Sequence, residues 1–228
     1  MSDQTVFLAL FLDAPLQSWG YGSRFDYRTT LSFPTRSGIM GMICAAMGID
    51  RNDAGSLRQF DATGMKSFTF SQNGRLVDFH TVGGGFDPKS ERRHMVRRAN
   101  NATPETVVTH REYLTHTRFG VILDGPETLI RRIAGALRHP RWGIWLGRKS
   151  CVPASPICQG VFADEQGALD RLKQVAGTEE IRRVVSESTN FDGGVDTLMD
   201  VPLDFAKRRF APRRISVENL QEKFRAHI

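Results

Sequence analysis

The segment Ser37 to Met47, SGIMGMICAAM, is apolar nearly all round, and a helix with no polar face has to be buried. Thr35 or Ser37 is placed to cap its start, and Gly48 suits the position just past its end. A strand-like apolar run, Thr5 to Leu12, precedes it and is closed by Asp13. Downstream, Met65 to Ser71 and Arg75 to Val82 read as a hairpin with Asn73-Gly74 as its turn. Val107 to Thr115 and Arg118 to Leu123 read as strands, and Pro126 to Leu137 as a helix with Glu127 in its first turn. Trp142 to Leu146 and Ile157 to Phe162 are short strand candidates. Gln166 to Val175 reads as a helix, Ile181 to Glu187 as a strand, and Val217 to His227 as a final helix. Strand, helix, strand, strand, insertion, strand, helix, strand is close to the split β-α-β-β-α-β order of ferredoxin-like domains, in which an antiparallel sheet buries one face under two helices. RNA-recognition domains share that plan and present the open sheet face to RNA. The expected class is therefore α+β: a ferredoxin-like, RNA-recognition-type domain over residues 1–150, with an insertion at about 83–106, and a smaller β-rich C-terminal part over 151–228.

With 228 residues, 40% of them hydrophobic, the chain can bury a sizeable core. The apolar run from Val6 to Leu12 lacks a basic leader, which predicts a buried strand and no signal peptide, and no segment is long enough to span a bilayer. Cys44, Cys151 and Cys158 form no CxxC pair, so neither a disulfide framework nor a zinc site is signalled, and reduced thiols in a cytoplasm are expected. No metal or cofactor motif is present in the sequence.

The formal net charge of +6 makes a polyanion the natural partner. It is concentrated. The stretch GGGFDPKSERRHMVRRANNATPE, residues 83–105, is too long and too polar for an ordinary connection. It holds Lys89, Arg92, Arg93, Arg97 and Arg98 against Glu91, and guanidinium forks on a glycine-hinged loop suit phosphate oxygens. A second basic segment runs from Arg131 to Lys149, ending in LGRKSC, and a third comprises Lys207, Arg208, Arg209, Arg213 and Arg214. Part of the second is the exposed face of a helix, its LGRKSC end being the part of interest, and a solvated segment describes the third equally well. In LQSWGYGSRFDYRTTLSFPTRSG, residues 16–38, Arg24, Arg28 and Arg36 share a loop with Trp19, Tyr21, Phe25 and Tyr27 ahead of a helix start. Free N–H groups at such a start bind phosphate, and the rings are available to stack on bases. Core packing is the competing role for Trp19.

Chemistry is weakly signalled. His80 or His110, with Tyr113 and Lys89, could supply the base and acid of a metal-independent RNA cleavage. A lone histidine at a strand end is more often structural, and the acids are too scattered for a two-metal nuclease.

Five motifs in order, LQSWG (16–20), FPTRSGIMGMICAAMGI (33–49), DFHTVGG (78–84), THREYLTHTRFGVIL (109–123) and HPRWGIWLGRKSCVPASP (139–156), resemble the fifth CRISPR-associated protein family in its type I-E branch, within the RAMP superfamily. The resemblance covers about residues 6–160, with a looser match beyond. It implies a ferredoxin-like RAMP domain whose insertion is a long thumb. It also implies a subunit of the Cascade surveillance ribonucleoprotein that holds the 5′ handle of the CRISPR RNA (crRNA). Such a subunit meets the adjacent backbone subunit and the large subunit, and target DNA indirectly through the complex. In this branch a separate endoribonuclease makes the handle and the subunit binds without cutting, whereas a type I-C sibling cuts. The residues expected at RNA are Gln17, Ser18, Trp19, Gly20, Arg24, Arg28, Thr35, Arg36, Ser37, Gly38, His80, Thr81, Lys89, Arg92, Arg93, Arg97, Arg98, Arg111, Arg148, Lys149 and Ser150.

Overall fold

Strand β1, Thr5–Gln17, is buried on both faces because its alternate residues serve two cores. Leu8, Leu10, Leu12 and Ala14 point to one side and Ala9 and Phe11 to the other. A computed structural model describes residues 3–22, 26–82, 107–188 and 196–220. Its remaining elements are β2 (Tyr27–Arg28), α1 (Arg36–Met47), β3 (Gly64–Ser71), β4 (Gly74–Val82), β5 (Val107–Pro126), α2 (Glu127–Arg138), β6 (Cys158–Phe162), α3 (Glu165–Ala176), β7 (Arg183–Ser188), β8 (Asp196–Asp204) and β9 (Arg209–Asn219). One sheet runs β6-β1-β5-β3-β7-β9-β8, with β2 and β4 paired to β5 off that path. Its first four strands are all antiparallel neighbours. With α1 after β1 and α2 after β5, this is the ferredoxin-like order.

Helices α1 and α2 cover the first face, where Ile39, Met40, Ile43, Ile130 and Ile133 meet the leucines of β1 and Phe119, Val121 and Leu123 of β5. The all-round apolar α1 is thus wrapped by sheet, α2 and Phe205. Gly48 caps it at φ +71, a left-handed position that glycine takes without strain. The opposite face is covered as well. Helix α3, N-capped by Asp164, lays Ala168, Leu172 and Ala176 over Phe11, Phe68, Phe70 and Ile122. Gly120 makes this possible, since a Cβ there would come within 2.8 Å of Leu172 Cδ1. The open sheet face of RNA-recognition domains is therefore closed in this part of the sheet. Strands from beyond residue 150 share the sheet, because β7 pairs with β3.

The structure corrects several local expectations. β3 and β4 do not form a hairpin. Both run antiparallel to β5, β3 opposite residues 118–124 and β4 opposite 107–115, so they lie end to end along it. The two strands expected from Val107 to Leu123 are the single 20-residue β5, with His116 at φ +46 opposite the gap between β3 and β4. Trp142 to Leu146 is irregular and pairs as no strand. Val217 to Asn219 ends β9, and residues 221–227 of the expected final helix lie outside the described residues. β1 also runs on to Gln17, beyond its expected end at Leu12. Among the described residues no helix is long and apolar enough to cross a membrane.

Candidate nucleic-acid interface

The start of α1 is the first place to test for a phosphate cradle, and it is already filled from within. Thr35 Oγ1 accepts from the Gly38 N–H at 3.2 Å, the N-cap bond. The Arg36 N–H donates to Asp200 Oδ2 on β8 at 2.8 Å, so a carboxylate of this chain occupies the positive end of the helix. The Arg36 guanidinium is buried. It donates to Glu187 (2.9 Å), the Phe60 carbonyl (2.9 Å) and Thr63 (carbonyl 2.8 Å, Oγ1 3.0 Å). Arg213 closes the network onto Asp200 at 2.6 and 2.9 Å and onto Glu187 at 3.1 Å. The groups expected to hold a phosphate here are engaged within the fold: the Arg36 N–H, both terminal nitrogens of its guanidinium and the Gly38 N–H donate to atoms of this chain.

Trp19 is likewise engaged within the fold, in the core-packing role that competed with stacking. Only 1% exposed, it sets its ring edge-on to Phe119 (6.5 Å, 79°) and donates Nε1–H to Gln17 Oε1 at 3.2 Å. Gln17 Nε2 in turn donates to the carbonyls of Leu12 (3.0 Å) and Thr117 (2.5 Å). Ser18 Oγ reaches the Glu112 carbonyl at 3.4 Å. Gly38 is the seat of the indole, since a Cβ there would come within 2.8 Å of Trp19 Cε3. LQSWG and PTRSG are thus two halves of one core contact. Burying a tryptophan with its N–H satisfied outweighs leaving it for a ligand. Ser37 is half-buried beside Thr35, Gly20 is exposed, and Arg24 lies outside the described residues.

An exposed surface lies instead on the ribbon formed by β2, the first half of β5, and β4. Tyr27 is in register with His110, and His110 with Phe79. The three side chains form a cross-strand row: Tyr27 stacks on His110 at 4.8 Å and 13°, and Phe79 meets the same imidazole edge-on at 5.5 Å. Tyr27 is 63% exposed and Phe79 64%, and the buried His110 Nδ1 has no hydrogen-bond partner among the described residues. On the other face, by the two-residue alternation of strands, Arg28 is in register with Arg111 and Arg111 with Asp78. Arg111 Nε donates to Thr109 Oγ1 at 3.0 Å, which leaves its terminal nitrogens without a partner among the described residues. His80 Nδ1 lies 3.5 Å from Asp78, and Thr81 is exposed beside it. Rings on one face and guanidiniums on the other are what a single-stranded nucleic acid uses for stacking and phosphate contact.

The LGRKSC loop braces this ribbon. The Arg148 guanidinium donates to the Glu112 carbonyl (2.6 Å) and the Arg28 carbonyl (2.7 Å), tying β5 to β2, and lies 4.6 Å over the Tyr113 ring. Arg148 is therefore a brace. Lys149 and Ser150 remain exposed; Lys149 faces the Trp145 ring at 5.9 Å, and Ser150 Oγ hydrogen-bonds the Tyr113 hydroxyl at 3.3 Å. Between this loop and α1 lies a cleft of about 240 Å³ lined by Ser37, Gly38, Gly41, Trp145 and Gly147.

The residues considered for cleavage do not converge. His110 and His80 fall on opposite faces of the ribbon. Tyr113 is 4% exposed beneath Arg148. It stands four residues along β5 from Thr109, the partner of His80, or roughly 13 Å at strand rise. Lys89, Arg92, Arg93, Arg97 and Arg98 lie outside the described residues. Among the described residues no three His, Cys, Asp or Glu side chains group to hold a metal ion. Burial pushes the Cys44 thiol up to about 12, with Asp53 adding to the rise, and burial also raises that of Cys151. Phe79 was missed by sequence reasoning. Its signal was GRLVDFHTV, an alternating strand whose apolar residues Val77 and Phe79 have no core to face.

An RNA-recognition-type α+β sheet, closed on both faces and extended by a ribbon that brackets a basic insertion, defines the class. The chain belongs to the CRISPR-associated protein (Cas_Cas5) family, whose model matches residues 7–216. It is 32% identical over 223 residues to the CRISPR system Cascade subunit CasD of Escherichia coli (strain K12), covering 90% of this chain and 94% of that protein. A chain of a CRISPR RNA-guided surveillance complex superposes with a TM-score of 0.75 at 31% identity, covering 93% of this chain and 89% of that one. A second solved Cas protein superposes at 0.65 with 29% identity, covering 94% of both chains.

Proposed function

We propose that this chain is the crRNA-binding subunit of a type I-E Cascade, holding the 5′ handle without cutting it and joining the adjacent backbone subunit to the large subunit. The near full-length likeness to the Escherichia coli Cascade subunit carries the reading. The ribbon geometry supports it. Tyr27, Phe79 and His110 offer stacking faces, Arg28, Arg111 and Lys149 offer phosphate contacts, and His80, Thr81 and Ser150 border them. The insertion at 83–106, with Lys89 and its four arginines, continues directly from the ends of β4 and β5. The role is that of a binder and not a nuclease, because His80, His110 and Tyr113 offer no shared position from which one could activate a ribose hydroxyl and another protonate a leaving oxygen.

The test is one gel in EDTA. The purified chain is incubated with labelled repeat RNA and with mature 5′-handle RNA. The expected result is a handle shift that weakens steeply with salt and no new product from the repeat. A discrete cut within the repeat, lost in His80→Ala or His110→Ala, would replace this reading with that of a metal-independent endoribonuclease.

A further inference from the structure

The second basic segment of the sequence is only partly used by the ribbon, and most of it lies on α2. The buried side of that helix carries Leu129, Ile130, Ile133, Ala134 and Leu137. Its exposed side carries Arg131, Arg132, Gly135, Arg138 and His139. Arg131 is held by Glu127 one turn earlier. The side chains of Arg132, Arg138 and Arg141 make no hydrogen bond or ion pair among the described residues, and no acidic residue follows Glu127 until Asp164. The Arg141 side chain lies across Gly48, and its N–H bonds the Ala46 carbonyl at 2.9 Å, which sets a further cation beyond the end of α2.

Gly135 is the informative residue. Glycine is the least favourable residue in a helix interior after proline. Nothing among the described residues asks for it, since a Cβ there would meet none of their atoms within 4 Å. Arg132 and Arg138 stand three residues to either side, on the same exposed face. A cation at the end of α2 complements the helix dipole, which accounts for Arg138 but for neither Arg132 nor Gly135. A smooth centre between free guanidiniums fits a ligand that comes close to the helix backbone while meeting cations on both sides. The one ring on this face among the described residues is the His139 imidazole at its end, and no tryptophan, tyrosine or phenylalanine stands between the guanidiniums, so it lacks the row of stacking rings that holds a single strand.

We infer that the exposed face of α2, with Arg132, Arg138 and Arg141 around Gly135, binds the phosphate backbone of a nucleic-acid duplex without reading its sequence. This surface is separate from the ribbon and does not rest on the handle reading. The test measures binding of the full chain to two unrelated 30-base-pair DNA duplexes, over a salt series, alongside handle RNA. Wild type binds both duplexes alike. Arg132→Ala/Arg138→Ala/Arg141→Ala loses at least tenfold in duplex affinity at low salt. Its log–log salt slope falls by about 2 to 3, at roughly 0.9 for each phosphate contact removed. Its handle affinity is unchanged. Gly135→Leu keeps every cation, does not lower Tm, and weakens duplex binding severalfold. Trp142→Ala, which removes the nearest exposed tryptophan in sequence, leaves duplex affinity as it was. Equal duplex affinity in wild type and either the triple variant or Gly135→Leu overturns the proposal. So does a loss in Trp142→Ala as large as that of the triple variant, which would make the ligand a stacked single strand.

Discussion

Trp19 and Tyr27 are eight residues apart and belong to different kinds of site. Trp19 sits at 1% exposure among Gly38, Gln17 and Phe119, so Trp19→Ala is expected to cost about 3–5 kcal/mol of stability. Tyr27, at 63% exposure, should cost little stability when truncated and should instead weaken handle binding by about 1–3 kcal/mol, the value of one stacked base. Denaturant melts and handle titrations on the two variants separate the roles. A Tyr27→Ala protein with unchanged handle affinity would remove the ring row from the proposed interface. Loop composition could not sort these rings. Trp19 and Tyr27 both satisfy the stacking chemistry, and what divides them is long-range: whether Gly38 and Phe119 arrive to receive a ring. The cysteines follow the same logic of burial. With its thiol pushed up to about 12, Cys44 stays protonated at pH 8, and Cys151 is buried too. A thiol reagent should therefore modify at most the half-buried Cys158 quickly in the native chain, and all 3 cysteines after denaturation.

At the scale of elements, helices were the most legible part. α1, α2 and α3 lie within a residue or two of where periodicity, caps and Gly48 put them, because those signals are local. The hairpin failed because strand pairing is not local. Asn73-Gly74 offers a tight turn, but β5 is 20 residues long and has room for β3 and β4 in succession, so the chain continues along it without reversing. At that junction the ribbon leaves the three-layered core. Its attachment is therefore thin, and Arg148 is what ties β2 into it. Arg148→Ala should leave the core sheet intact while amide exchange at Tyr27, Arg28 and the first half of β5 speeds up, with handle affinity reduced through loss of positioning. Arg148→Lys should rescue little, since one ammonium cannot span both carbonyls as a planar fork does. If exchange stays slow in Arg148→Ala, the brace is not what orders the ribbon.

For the molecule as a whole, the bond between Arg36 and β8 is decisive. Residues from beyond position 150 do more than extend the sheet through β7. They supply Asp200 to the first N–H of α1, and Glu187, Asp200 and Arg213 to the network that buries Arg36. The sequence hid this: Arg36, Glu187, Asp200 and Arg213 are spread over more than 170 residues, and in a string each reads as a surface charge. α3 makes the dependence two-sided by covering Phe11 and Phe70. Thermal unfolding is therefore expected to be one cooperative transition, and a chain cut after residue 150 should not retain a native-like ferredoxin-like half. Asp200→Ala strands Arg213 and uncovers the helix start. It should destabilise by about 3–5 kcal/mol, the cost of breaking a buried ion pair from one side. Because that residue touches neither the ribbon nor the exposed face of α2, handle affinity measured well below the new melting temperature should be unchanged. Two resolved transitions by calorimetry, or a folded fragment of residues 1–150, would show instead that the C-terminal strands dock on an independent unit. The Asp200 contact would then belong to an interface between two bodies and not to a single core.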